Sequence, residues 1–194
     1  MTRAAERKLI RQAQRGSADA IEGLIRAHQQ SLYAFMLRMT GRPEVAEDVV
    51  QEAFVRVMKN LDRFDTRFRF STWLFTIAKR LHMNQVQKHS PSYETDLLEY
   101  RQGDQAQPGT FAERDEAMEN VRVALDGALD SLGEQQREIV LLFHQQNWPI
   151  SEIAVYMKMP EGTIKSHLHR ARKRMKVQIC SNESTRRRVE EVWQ

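Results

Sequence analysis

The sequence has one cysteine, Cys180, which leaves no partner for an internal disulfide and no basis for a cysteine-built zinc site. No run of about 18 apolar residues occurs, so no membrane-spanning helix is expected. Met1 to Arg15 are charged throughout and lack the apolar stretch of a signal peptide, so the expected location is the cytoplasm. Five prolines and eight glycines are few for 194 residues, and no period-two alternation marks a strand. A strong charge of one sign is missing too: 30 Lys+Arg against 26 Asp+Glu leave +4, too little by itself to imply nucleic acid. Catalytic signatures such as HExxH, a glycine-rich phosphate loop or GxSxG do not occur. His144, His167 and His169 are the best candidates for chemistry, yet His167 and His169 stand two apart and point to different faces of one helix. No enzymatic activity, cofactor or metal is expected.

What the chain does have is helical spacing, in a composition (41% hydrophobic, 29% charged) typical of soluble globular proteins. Between Ala18 and Met39, Ala20, Leu24, Ala27, Leu32, Phe35, Met36 and Met39 recur every three or four residues. Gly41-Arg42-Pro43 breaks that helix, and Pro43 suits the first turn of the next. There Val45, Val49, Phe54, Val57 and Leu61 form an apolar face, and Glu44, Glu47 and Asp48 favour the positive helix end. A loop from Asp62 to Phe70 follows, and Ser71 or Thr72 can cap a helix from about Trp73 to Lys88. From Pro91 to Glu116 there are seven acidic and two basic residues, with weak periodicity. Helical pattern resumes near Ala112, with Val121, Leu125, Ala128, Leu129 and Leu132 as one stripe and Ile139, Val140, Leu142 and Phe143 as another. The expected fold is all-α. Two small helical domains, residues 1–89 and 113–178, flank a flexible acidic linker at 90–112, and 179–194 form a C-terminal tail.

The stretch "PISEIAVYMKMPEGTIKSHLHRARKRM" begins like a core and ends like a phosphate-binding surface. Ser151 can cap a short helix that turns Ile153, Ala154 and Met157 inward, and "KMPEG" then breaks the chain. In the following helix Ile164, Leu168, Ala171 and Met175 form the buried stripe. The opposite face carries Ser166, His169, Arg170 and Lys173, flanked by Thr163, Lys165 and Arg172. Gly162 to Lys176 hold six Lys/Arg and no acid. A short helix, a tight turn and a basic helix make a helix-turn-helix, whose second helix enters the major groove. A solvated basic helix in a bundle would share the charge but has no need of the break or of the small Ala154.

"PEGTIKSHLHRAR" resembles the final helix-turn-helix of bacterial RNA polymerase sigma factors of the extracytoplasmic-function class. Two further blocks resemble the same family. "AEDVVQEAFVRVMKNLDRF" with "FSTWLFTIAKR" is similar to its polymerase-binding helix and promoter-melting segment, and "LDSLGEQQREIVLLFHQQNWPISEIA" to the start of its C-terminal domain. Together they span roughly residues 16–178 in the family's order.

The resemblance implies a factor that binds core RNA polymerase, recognises −35 and −10 promoter elements and directs initiation of a stress or envelope-response regulon. It places Asp48, Gln51, Glu52 and Val55 against the clamp helices of the largest polymerase subunit, with a further contact to the flap of the second subunit. Arg67, Arg69, Lys79, Arg80, Asn84 and Lys88 would meet −10 DNA, where aromatic residues of the loop could stack on bases and the loop could hold one turned out of the duplex. Trp73, Leu74 and Ile77 are expected to be mostly core. Thr163, Lys165, Ser166, His169, Arg170, Arg172 and Lys173 would read the −35 element. A cognate anti-sigma factor is the other implied partner, and no membrane insertion is expected. The chain departs from the family pattern at Arg80, where asparagine is usual, at Lys158, which replaces a turn glycine, and at His167, where arginine is common. A regulator acting without polymerase would share the helix-turn-helix, but would leave the melting-type block without a task. A decoy that sequesters an anti-sigma factor would not need the basic recognition helix.

Overall fold

The computed structural model describes residues 2–89 and 113–181, and the chain divides into two compact units, residues 1–103 and 104–194. The linker expected at 90–112 and most of the expected tail lie outside the described residues. Among those described there are eight α-helices and no strand.

The first unit contains α1 (Arg3–Gln14), α2 (Ala18–Thr40), α3 (Pro43–Lys59) and α4 (Phe70–His89). Helix α1 was not legible in the charged opening of the chain. Thr2 caps it by accepting from the Ala5 amide, and it buries only Ile10 and Ala13. Ser17 caps α2 in the same way, through the amide of Ala20. Gly41 ends α2 in the left-handed region (φ 66°), and Pro43 opens α3 as expected. Helix α3 packs against both α2 and α4. Leu24, Leu32, Phe35, Met36, Val49, Phe54, Val57, Leu74 and Phe75 form the core, while Ala27, expected in the apolar stripe of α2, is exposed. Helix α4 starts at Phe70, so Ser71 and Thr72 lie in its first turn and do not cap it. Phe70 is fully buried, and that burial pulls the helix start toward the loop.

The second unit contains α5 (Glu113–Asp130), α6 (Glu134–Val140), α7 (Ile150–Met157) and α8 (Glu161–Ser181). Arg137 of α6 donates to the carbonyls of Leu129 and Asp130, so a cation closes the negative end of α5. Leu125, expected in the buried stripe of α5, is 43% exposed. A π-helical turn at Leu141–Gln145 leads to Asn147 (φ 53°) and to the buried Trp148. Pro149, not Ser151, stands at the N-cap of α7, and Ser151 lies one residue inside the helix. Helix α8 runs on to Ser181, into the first residues of the expected tail, with Ile179 half-buried.

Candidate nucleic-acid interfaces

In the first unit the chain leaves α3 through a 3-10 turn at Leu61–Arg63 and reaches α4 by a loop whose two aromatic ends point inward. Phe64 and Phe70 are buried, and their rings meet edge to face at 5.8 Å. Trp73 stacks on Phe64 at 4.8 Å. Phe68 between them has no such place and stands 66% exposed.

A cleft of about 660 Å³ opens beside this loop. Phe64, Trp73 and Ile77 supply its apolar lining, while Arg63, Phe68, Arg69 and Arg80 bring exposed cations and a free ring face. Trp73 and Ile77, expected to be mostly core, are only half-buried because this cleft replaces packing on one side of α4; Leu74, further round the helix toward the core, is fully buried. Arg56 and Asn60 at the end of α3 also line the cleft. Neither had been singled out from the sequence, although both continue the i, i+4 row from Asp48 and Glu52.

The expected −10 residues are divided by the structure. Arg69 and Arg80 line the cleft, and Asn84 lies exposed one turn beyond Arg80. Lys79 is half-buried on a neighbouring face of α4 and does not line the cleft. Lys88 belongs to α4, but its side chain lies outside the described residues. Arg67 is exposed yet already engaged: its amide and guanidinium donate to Asp65 at 2.9 and 2.7 Å. Those bonds hold the Asp65 carboxyl below its ordinary range and push the Arg67 guanidinium up. A phosphate would have to compete with Asp65 for Arg67.

On α3, Asp48, Gln51, Glu52 and Val55 are all exposed, opposite the buried Val49, Ala53 and Val57. Glu52 pairs with Arg56 at 2.6 Å, so its carboxylate is shared along the helix.

In the second unit Lys158 closes α7 in the left-handed region, with φ 56° and ψ 44°. The Met159 amide then returns to the Ala154 carbonyl at 2.9 Å, and the chain turns into α8. The turn thus forms with Lys158 where the family pattern has glycine. Ile164, Leu168 and Ala171 are buried as expected, with Met175 half-buried. Lys165, Ser166, His169, Arg170, Arg172 and Lys173 are exposed and Thr163 is half-buried. Helical phase puts Ser166, His169, Arg170 and Lys173 directly opposite the buried stripe. Arg172 lies on a flank and bends back, its guanidinium 5.6 Å from the Phe143 ring and 3.3 Å from His144 Nε2. Partial burial, and then the Arg172 charge, hold the His144 imidazole below its ordinary range.

Among the described residues, no group of three or more His, Cys, Asp or Glu is placed to hold a metal ion, and no helix is long and apolar enough to cross a membrane.

Residues 24–91 match the Sigma-70 region 2 family and residues 122–175 the Sigma-70, region 4 family. Over 157 residues, 81% of this chain and 83% of the relative, the sequence is 31% identical to the ECF RNA polymerase sigma factor EcfG of Rhodopseudomonas palustris. The chain belongs to the extracytoplasmic-function class of RNA polymerase sigma factors. This sigma factor is also 29% identical over 181 residues to SigW of Bacillus subtilis, covering 89% of this chain and 96% of that one. Two solved structures share its fold. One is CnrH in complex with the cytosolic domain of CnrY (TM-score 0.68, 22% identity, 92% of this chain and 99% of that one). The other is RpoE of Bartonella quintana in complex with the anti-sigma factor NepR (TM-score 0.64, 24% identity, 84% and 98%). Like its family, this sigma factor acts in promoter recognition and transcription initiation by RNA polymerase. The region 2 match contains the cleft, and the region 4 match contains α7 and α8 as far as Met175.

Proposed function

We propose that the two surfaces read two promoter elements. The cleft beside the 62–70 loop takes a base of the −10 strand, with Phe68 offering a stacking face and Arg63, Arg69 and Arg80 meeting phosphates. Thr163, Lys165, Ser166, His169, Arg170 and Lys173 of α8 read the −35 element in the major groove, and Arg172 supports the helix from its flank. The exposed row Asp48, Gln51, Glu52 and Val55 docks on the clamp helices of the largest polymerase subunit, and the second unit meets the flap of the second subunit. The functional domains are residues 1–89 and 113–178, with α8 carrying the second into the expected tail.

The observation that carries this reading is the cleft itself. A solvent-facing Phe68 beside half-buried Trp73, ringed by arginines, suits an unpaired base better than it suits a protein core. The protein performs no chemistry of its own; polymerase supplies it. It works in the cytoplasm on a stress or envelope-response regulon, restrained by a cognate anti-sigma factor, as RpoE of Bartonella quintana is bound by NepR.

Run-off transcription from fragmented genomic DNA of the source organism, with core polymerase and with or without this protein, tests the reading. New discrete transcripts that need both components support it. Silence together with tight duplex binding by the protein alone would point to a stand-alone regulator instead.

A further inference from the structure

Helix α1 lies before residue 24, where the region 2 match begins. Its side chains nevertheless reach the loop that lines the cleft. Gln14 Nε2 donates to the carbonyls of Leu61 and Phe64, both at 2.9 Å, using both of its amide hydrogens. These two carbonyls bracket the 3-10 turn at the loop's start. At the other end of the helix Arg3 donates to the Arg67 carbonyl at 3.1 Å, near the loop's tip. Between them Glu6 lies 3.1 Å from His28 of α2, whose ring packs at 5.1 Å against Phe70, the residue that ends the loop. Arg3, Glu6, Ile10 and Gln14 are spaced three or four apart, so one face of α1 carries all of these contacts and the buried Ile10 that anchors it.

We infer that α1 is a positioning element for promoter opening, with Gln14 as its main brace: it holds the 61–70 loop so that the cleft is open before DNA arrives. The inference rests on the proposed reading of that loop as the −10 element's site. The loop's backbone bonds run from Arg63 to Asn60 and from Phe64 to Leu61 in its 3-10 turn, from Phe68 to Asp65, and from Trp73 to Arg69 where α4 begins. An outside donor that fixes two carbonyls changes how often the loop is in place. Gln14→Glu removes both donors and sets a carboxylate against two carbonyl oxygens. Gln14→Lys keeps a donor there.

The test uses full-length protein assembled with core polymerase on a promoter recovered by run-off selection. The Gln14→Glu holoenzyme should open duplex promoter about tenfold more slowly, the effect of losing ordinary hydrogen bonds from a pre-set loop. Its affinity for core polymerase should be unchanged, and transcription from a template already unpaired across the −10 region should recover. Gln14→Lys should open promoter within about twofold of the wild type, since the ammonium keeps donor hydrogens for the loop carbonyls. An opening rate equal to wild type in Gln14→Glu, or an equal defect on the unpaired template, would overturn the brace. Should Gln14→Glu fail to fold, exposed Arg3→Ala decides, with slowed opening supporting the brace and an unchanged rate overturning it. Phe68→Ala separates the two readings. If Phe68→Ala is defective and Gln14→Glu is not, the cleft reading stands and the brace falls. If Phe68→Ala opens promoters normally, both fall.

Discussion

Tyr156 of α7 donates its phenolic hydrogen to Glu138 Oε1 of α6 at 2.9 Å, tying the helix-turn-helix to the helix that precedes it. Glu138 is 3% exposed and is the one charged side chain fully buried among the described residues. A buried carboxylate is costly unless hydrogen-bonded, and the Tyr156 ring is itself held edge to face by Trp148 at 5.4 Å. Tyr156→Phe should therefore destabilise the second unit by about 1–3 kcal/mol, the cost of leaving a buried acceptor short of a donor. Thermal unfolding of the full chain with Trp73 and Trp193 replaced by Phe, followed through the fluorescence of Trp148, reads it.

The same pair sets an alkaline limit. Burial, then the Glu138 charge, push the Tyr156 hydroxyl well above the ordinary value of 10.0. The unfolded chain loses this proton first, so stability is fully present below about pH 10 and declines as pH rises above it. Tyr156→Phe should flatten that decline. An equally steep alkaline decline in both proteins would contradict the assignment.

His144 works in the opposite direction. Its folded value lies below the ordinary 6.5, because partial burial and Arg172 disfavour the imidazolium. The unfolded chain therefore takes up the proton first, and the second unit should lose stability as pH falls below about 6.5. His144→Gln should weaken this acid slope between pH 7 and 5. Unfolding midpoints measured across that range decide it.

Lys158 occupies a left-handed conformation that costs a side chain with a Cβ and is free to glycine. Lys158→Gly should stabilise the protein by about 0.5–1 kcal/mol, with the turn and DNA binding intact. A destabilised glycine variant would mean that the Lys158 side chain contributes more than its backbone costs.

On α8, Arg170 and Lys173 face away from the core, while Arg172 is turned toward Phe143. Arg170→Ala and Lys173→Ala should each weaken upstream-element binding, and a lost phosphate contact should lower the salt slope by about one. Arg172→Ala should change that slope less. Binding of the holoenzyme to promoter DNA across a salt series measures all three.

Much of this was legible in the sequence where a residue's neighbours along the helix decide its place. The stripe Ile164, Leu168 and Ala171 follows from spacing, the Gly41–Pro43 break from the backbone chemistry of glycine and proline, and the exposed row on α3 was singled out by the family resemblance. What spacing could not show were contacts made across elements. Gln14 reaches Leu61 from a helix hidden in a charged stretch, and Arg172 looks like any recognition-helix cation until Phe143 is placed beside it. Trp73 and Ile77 have core chemistry and core spacing, and only the loop's path leaves them lining a cleft. Local caps failed for a related reason: the burial of Phe70 outweighed the capping preference of Ser71 and Thr72.

If the two surfaces read two separate promoter elements, a change in one surface should alter only one element. The most direct measurement is transcription from a promoter library with every base of both elements substituted, by the wild type, Arg170→Ala and Phe68→Ala. Arg170→Ala should relax discrimination only at the upstream element, by about 1–3 kcal/mol at the affected base. Phe68→Ala should relax it only at the downstream element. Relaxation of both elements by either variant, or of neither by both, would rule out this division between the surfaces.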